Sequence, residues 1–324
     1  MFLSSAGKRG GVPAGDTPAA ALHGRPIRVF GLPILPIDAV ILGGCLVFGL
    51  LTAVFHSRLE KPLLPLLRAF GGGLLYLGSL LWLRSARRPI LRFLVRTVAV
   101  QGMFFQIYLV AQDIQGIFFA WNDAAVLRWE AAVFGVQPVV SIQRLYRPWL
   151  TEWMMFVYVA YIVIYPLLGA YIYFRRGEKA NEDYLYNLGL ANLLCCAGFL
   201  IFPVAGPLFR PEVRELLTTP LQGGIFTWMG EWIRANVHTP GATIPSPHCA
   251  VATVMWIMAR RYSRRGFLAL APVILSLYVS TVYGRYHYVS DAVVGIALAV
   301  IVVALSPALA GPWRRAGRRP DPSP

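Results

Sequence analysis

The sequence predicts an all-α protein, a polytopic membrane helical bundle of about eight transmembrane helices. Three observations predict it. Hydrophobic residues make up 57% of the 324-residue chain and charged residues only 14%, against about a quarter charged in an ordinary soluble domain. The apolar residues gather in eight runs. The basic residues fall in short clusters between those runs.

The runs cover residues 38–56, 66–83, 91–111, 152–174, 185–204, 248–262, 266–282 and 287–306. Each comes near the ~20 apolar residues a helix needs to cross the hydrocarbon core. Gly and Pro inside several runs are compatible with spans, which tolerate them better than soluble helices do. The third run carries Arg92 and Arg96 at its start, and both are expected to snorkel to the interface. With eight spans the main basic clusters share one side: Lys8, Arg9, Arg25 and Arg28, the arginines between 84 and 96, Arg175, Arg176 and Lys179, then Arg260 to Arg265 and Arg314 to Arg319. The positive-inside rule then puts both termini in the cytoplasm.

The net charge of +15 raises nucleic acid as a partner. The charge is dispersed among loops rather than collected on one face, so the expected partners are lipids and the bilayer, not nucleic acid. Cys45, Cys195, Cys196 and Cys249 lie in or beside apolar runs without metal-site spacing and read as small buried hydrophobes. The first 30 residues lack the apolar core of a cleavable signal.

Two longer segments, 112–151 and 205–247, fall on the other side. The first holds a candidate interfacial helix from Ile117 to Phe134, with Phe118, Trp121 and Ala125 on a shared face and Asp123 and Arg128 elsewhere. The second carries Arg210, Arg214, Arg234 and His238.

The chemistry concentrates at two helix starts. In Ile244-Pro245-Ser246-Pro247-His248, Ser is a good N-cap and Pro is favoured at the first helical position. His248 then lies in the first turn, where unpaired N–H groups and the helix dipole favour an anion such as phosphate. A plain helix cap with an incidental histidine is the alternative. In Tyr283-Gly284-Arg285-Tyr286-His287-Tyr288-Val289-Ser290-Asp291, His287 and Asp291 are four apart and share a helical face. A carboxylate on one imidazole nitrogen fixes the tautomer and frees the other nitrogen for attack. Here the alternative is a structural Asp–His pair. Topology brings the fifth span's end, the sixth span's start and the eighth span's start to one face. Beside them Phe202-Pro203-Val204-Ala205-Gly206-Pro207-Leu208-Phe209-Arg210-Pro211 supplies Arg210, whose planar fork suits a phosphate.

Three blocks in order, Arg-Pro at 210–211, Pro-Ser-x-His at 245–248 and His-x-x-x-Asp at 287–291, resemble the type 2 phosphatidic acid phosphatase superfamily. The branch most resembled contains inositol phosphorylceramide synthase and its bacterial relatives, through Phe-Pro-Val-Ala-Gly-Pro, Pro-Ser-x-His and His-Tyr-x-x-Asp-x-x-x-Gly ending at Gly295. The resemblance covers roughly 112–306. It implies that His287 is a nucleophile forming a phosphohistidine, that Asp291 orients it, and that His248 is the proton donor and later acceptor. Arg210 and Ser246 would hold the phosphoryl oxygens, with no metal or cofactor. The implied organisation is a disordered cytoplasmic tail over 1–30, two additional N-terminal transmembrane helices over 31–90, a phosphatase-like catalytic membrane domain with a six-helix core over 91–306, and a cytoplasmic tail over 307–324.

The chain departs from the family pattern. Pro203 stands where a Lys is common, Ser280-Thr281 where Ser-Arg is, and Pro247 where Gly is. Fewer cations suit a singly charged phosphodiester better than a dianionic monoester, and Arg285, one helical turn past Thr281, is a candidate replacement for the missing cation. The expected activity is therefore transfer of a headgroup such as phosphoinositol between lipids, in a bacterial inner membrane with the site on its outer, periplasmic face. Hydrolysis of a polyprenyl phosphate or phosphatidic acid uses the same residues. A bis-histidine haem protein leaves Arg210 and Asp291 without purpose. A transporter predicts repeats and mid-membrane charges that the sequence lacks.

Overall fold

The computed structural model describes residues 26–316. A two-stranded antiparallel hairpin, β1 (Ile27–Val29) and β2 (Leu32–Ile34), precedes the first span. The long helices follow: α1 (Pro36–Val54), α2 (Leu63–Ser85) and α3 (Pro89–Ile114), then α4 (Asp123–Phe134), α5 (Pro148–Arg176) and α6 (Glu178–Ile201). Next come α7 (Ile225–Asn236), α8 (Pro247–Tyr262), α9 (Arg264–Tyr283), α10 (Val289–Leu309) and the short α11 (Gly311–Ala316).

All eight apolar runs are helical. Seven of the described helical segments are long and apolar enough to cross a membrane. The exception is α8, with 16 residues, about 24 Å at the helical rise. It is a helix of the bundle's interior, because α6, α9 and α10 pack around it and most of its side chains are buried. The four cysteines are reduced and buried. The expected tails fall largely outside the described residues, at 1–25 and 317–324. The described parts are ordered: residues 27–30 belong to the hairpin, and Trp313 of α11 donates through Nε1 to the Ile34 carbonyl at 2.8 Å.

Two sequence expectations change. Arg96 does not snorkel. It is 6% exposed and its fork grips Glu182 of α6 at 2.8 and 2.7 Å, while Nη1 donates to Asp38 of α1 at 2.6 Å and to the Tyr76 hydroxyl of α2 at 3.0 Å. Tyr76 also donates to Asp38 at 2.7 Å. Internal carboxylates satisfy the charge, so it has no reason to reach for water. This cluster joins α1, α2 and α3 to α6, at the end of the bundle away from the histidines.

The segment after α3 also differs. It is not helical from Ile117; the helix begins at Asp123. Its inward face carries Asp123, Val126 and Glu130, all buried, while Trp129, Val133 and Phe134 face outward. The buried stripe contains the acids and the exposed stripe is apolar, the arrangement of a helix set between a polar site and lipid.

Removing one partner of a buried ion cluster leaves uncompensated charge, a loss of ~3–5 kcal/mol. Arg96→Met is therefore expected to lower the thermal midpoint of the purified protein in detergent by many degrees. A midpoint equal to the wild type would show that the cluster contributes nothing to holding α1–α3 on the bundle.

Candidate active site

Three helix ends build the site: the C-terminus of α6 and the N-termini of α8 and α10. Ser246 is the N-cap of α8, its Oγ accepting the Cys249 N–H at 3.4 Å, with Pro247 at the first helical position. His248 follows in the first turn. The Ser246 N–H donates to the Asp291 carbonyl of α10 at 3.0 Å. That approach is close enough that Gly295, one turn further along α10, has no room for a side chain: a Cβ there would lie 2.5 Å from the Ser246 carbonyl oxygen. Gly198 of α6 gives Pro245 the same kind of clearance, a Cβ there lying 2.3 Å from the proline Cδ.

His287 lies just ahead of α10, whose N-cap is Tyr288. Its pairing with Asp291 is therefore a cap interaction and not the shared helical face expected from the four-residue spacing. Asp291 Oδ2 reaches back to accept the Tyr288 N–H at 3.0 Å and meets His287 Nδ1 at 3.2 Å. His287 Nε2 then faces His248 Nδ1 at 3.4 Å. The sequence places these imidazoles on separate helices, and the fold sets them side by side.

Aromatic rings hold His248 flat. Tyr158 of α5 stacks on it at 4.7 Å between centroids, Tyr161 leans on it at 5.0 Å, and Tyr286 stacks on the far face of Tyr158 at 4.2 Å. His287 is buried, which pushes its pKa from 6.5 down to about 4, a backbone hydrogen bond with Thr243 opposing the shift. The ring is neutral near pH 7, the form that can attack.

Arg210 is half-buried and pairs with Glu212. Its Nε is shielded from solvent and has no partner among the described residues. The buried Arg285 spends its guanidinium on the Tyr146 hydroxyl at 3.2 Å, Gln143 Oε1 at 3.4 Å and the Leu217 and Thr219 carbonyls. Its backbone is left-handed, with φ of 67°, a conformation disfavoured for a non-glycine residue. These bonds hold the turn in which the His287 N–H donates to the Thr281 carbonyl at 3.0 Å. Among the phosphate contacts expected from sequence, Arg285 thus sits as a brace for the turn that carries His287, Ser246 sits in the cap, and Arg210 keeps an N–H without a partner among the described residues.

Three acids to which the sequence assigned no role in the site are structural to it. Asp123 accepts the Ala205 and Gly206 N–H groups at 2.8 and 3.0 Å and the Tyr288 hydroxyl at 3.3 Å, fixing the strand of chain that leads to Arg210. Glu130 accepts the Ser290 N–H at 2.7 Å and its hydroxyl at 3.0 Å at the head of α10. Glu152 caps α7 by accepting the Gly224, Phe226 and Thr227 N–H groups at 2.7, 2.8 and 3.0 Å. Helix α7 then crosses the site, the Gly230 carbonyl accepting the Tyr286 hydroxyl at 2.9 Å. Behind Pro245 an apolar crevice of about 260 Å³ opens between Trp129, Ile201, Phe202, Ile244 and Val294.

Residues 124–305 match the PAP2 superfamily. The chain belongs to that superfamily. No curated protein and no solved structure matches it. Membership brings phosphatase or phosphotransferase chemistry on lipid-like phosphates, metal-independent across the superfamily in general. Among the described residues, no three His, Cys, Asp or Glu side chains gather as a candidate metal site.

Two outcomes follow from this geometry. Gly295→Ala should drive the Ser246 backbone away from α10 and cut turnover strongly, measured on labelled lipid phosphate; unchanged turnover would mean that this contact does not set the histidines' spacing. The second concerns pH. His287 and His238 both titrate near 4 when folded and near 6.5 unfolded, so between those values the unfolded chain binds more protons. Their contribution to stability is complete above about 6.5 and is lost as pH falls toward 4. Thermal midpoints should drop over that window, and replacing both rings with Phe should flatten the drop; an undiminished drop would assign it to other groups.

Proposed function

We propose that this PAP2 superfamily member transfers a substituted phosphoryl headgroup, such as phosphoinositol, between membrane lipids through a phosphohistidine at His287. The observation that carries the reading is the line Asp291–His287–His248, with contacts of 3.2 and 3.4 Å. With Nδ1 turned to Asp291, Nε2 of His287 is the atom left for in-line attack on phosphorus. Its lone pair forms the P–N bond while the P–O bond to the leaving alcohol breaks. His248 gives that oxygen its proton, and Asp291 balances the positive charge that grows on the His287 ring. In the second half His248 takes the proton of the acceptor hydroxyl, which attacks phosphorus and releases His287. The phosphoryl group must enter between the two imidazoles, so their direct contact opens when substrate binds.

Local charge supports a phosphodiester over a monoester. Arg210 already faces Glu212, Arg285 is engaged by neutral acceptors, and Asp123 and Asp291 lie close by. A dianion finds little uncompensated positive charge there, whereas a monoanion asks for less. The apolar crevice beside Pro245 is suited to a hydrocarbon chain whose headgroup reaches the histidines. The distribution of Lys and Arg supports a site on the outer face of the membrane, which in the proposed setting, a bacterial inner membrane, is the periplasmic side.

General acid–base and electrostatic groups each contribute roughly 10²–10³-fold, so His287→Ala and His248→Ala should each abolish measurable turnover in folded protein, and turnover should persist in a chelator. Substantial activity in either variant would remove the assignment. With a labelled phosphodiester lipid and a lipid alcohol, a new labelled lipid is expected. Release of the labelled headgroup phosphate to water alone would make the enzyme a phosphodiester-lipid hydrolase, and inorganic phosphate released from a labelled phosphatidic acid or polyprenyl phosphate would make it a lipid phosphatase.

A further inference from the structure

His238 stands at the end of α7, outside the three blocks that define the histidine pair. Its ring is bracketed by Phe209 at 5.1 Å and by Tyr286 at 5.4 Å between centroids. Phe209 immediately precedes Arg210, and Tyr286 immediately precedes His287. The ring therefore packs against the residues that precede the arginine and the proposed nucleophile. Its Nδ1 is shielded from solvent and has no partner among the described residues. The Nε of Arg210 is in the same condition. Two nitrogens left unpaired away from water are costly, and an oxyanion bonded to both would satisfy them.

We propose that His238 is a substrate-binding residue of this enzyme, hydrogen bonding through Nδ1–H to a non-bridging oxygen of the phosphoryl group held between Arg210 and His287. The inference rests on the phosphotransfer reading above and deepens it. Burial keeps the ring neutral near pH 7, its pKa falling to about 4, with His287 and Arg234 nearby adding to the shift. A neutral donor adds a hydrogen bond without adding charge, the contact that suits a phosphodiester monoanion. Helix α7 supplies the platform. Glu152 fixes its start, Tyr286 binds its middle at Gly230, and its exposed Ile225, Trp228 and Trp232 form an apolar outer face. His238 is thereby carried over the site on an element placed where lipid headgroups lie.

The test compares His238→Phe and His238→Asn in the full-length protein in nanodiscs, with labelled phosphatidylinositol as the donor probe. Phe keeps the ring contacts with Phe209 and Tyr286 but has no N–H. Asn loses the ring but presents an amide N–H at a similar reach to Nδ1. Loss of a donor to a charged group is worth about ten- to a hundredfold in kcat/KM. The expected result is such a loss in the Phe variant, substantial recovery in the Asn variant, and near-wild-type thermal midpoints in both. Wild-type turnover in the Phe variant would reduce His238 to packing and overturn the proposal. Equal, deep losses in both would overturn it too, since a hydrogen-bond donor would not rescue. If the Phe variant does not fold, His238→Ala replaces it, and Asn must then exceed Ala at least several-fold. Activity surviving in His287→Ala would instead defeat the phosphotransfer reading, whatever the His238 variants do.

Discussion

Two helix N-termini pressed against each other at Gly295 set everything that the site does. The Ser246 backbone of α8 lies so close to α10 that a methyl group at residue 295 would strike its carbonyl, and the Ser246 N–H is bonded to the Asp291 carbonyl across the junction. Each terminus carries one histidine within two residues of its cap. Closing the junction, with the turn that carries His287 braced beside it, brings the His248 and His287 nitrogens to 3.4 Å. Both helix starts also aim their free N–H groups and dipoles at the same space, which favours an anion there.

The remainder of the structure protects this junction. Asp123 and Glu130 turn the inner face of α4 into a set of acceptors for the α10 cap and for the 205–206 backbone. Arg285 braces the turn ahead of His287 from the opposite side. Tyr158 and Tyr161 hold the His248 ring. At the far end the Asp38–Arg96–Glu182 cluster attaches the first three long helices to α6, the central helix whose C-terminus borders the site. Buried charge at the far end is thus matched by opposite charge, whereas at the site end Asp123, Glu130 and Arg285 are held by hydrogen bonds to neutral groups.

Much of this was legible in the residues. Apolar runs marked every long helix, because the bilayer demands a length of hydrocarbon that few other settings do. Pro-Ser-Pro-His and His-x-x-x-Asp named both histidines and the acid, because caps and short polar spacings are local chemistry. What was not legible depends on tertiary partners. Arg96 looked like an interfacial residue until Asp38, Tyr76 and Glu182, distant in sequence, closed around it. The helix at 123–134 was read by its apolar face, whereas its acidic face is the buried one. Arg285 had the spacing of a phosphate ligand, yet carbonyls of the 217–219 segment engage it. His238 was noted only as one residue of the 205–247 segment, with no motif to give it a role; its position against Phe209 and Tyr286 supplies one.

The proposed phosphotransfer requires a covalent bond between His287 and phosphorus. The direct measurement is rapid acid-free denaturation of enzyme turning over a lipid labelled at phosphorus, followed by mass spectrometry of the peptide containing residues 285–291. The expected result is an acid-labile phosphoryl adduct on the His287 ring that disappears when acceptor lipid is chased in. Full turnover with label that never enters the protein, or that enters at His248 instead, would contradict it.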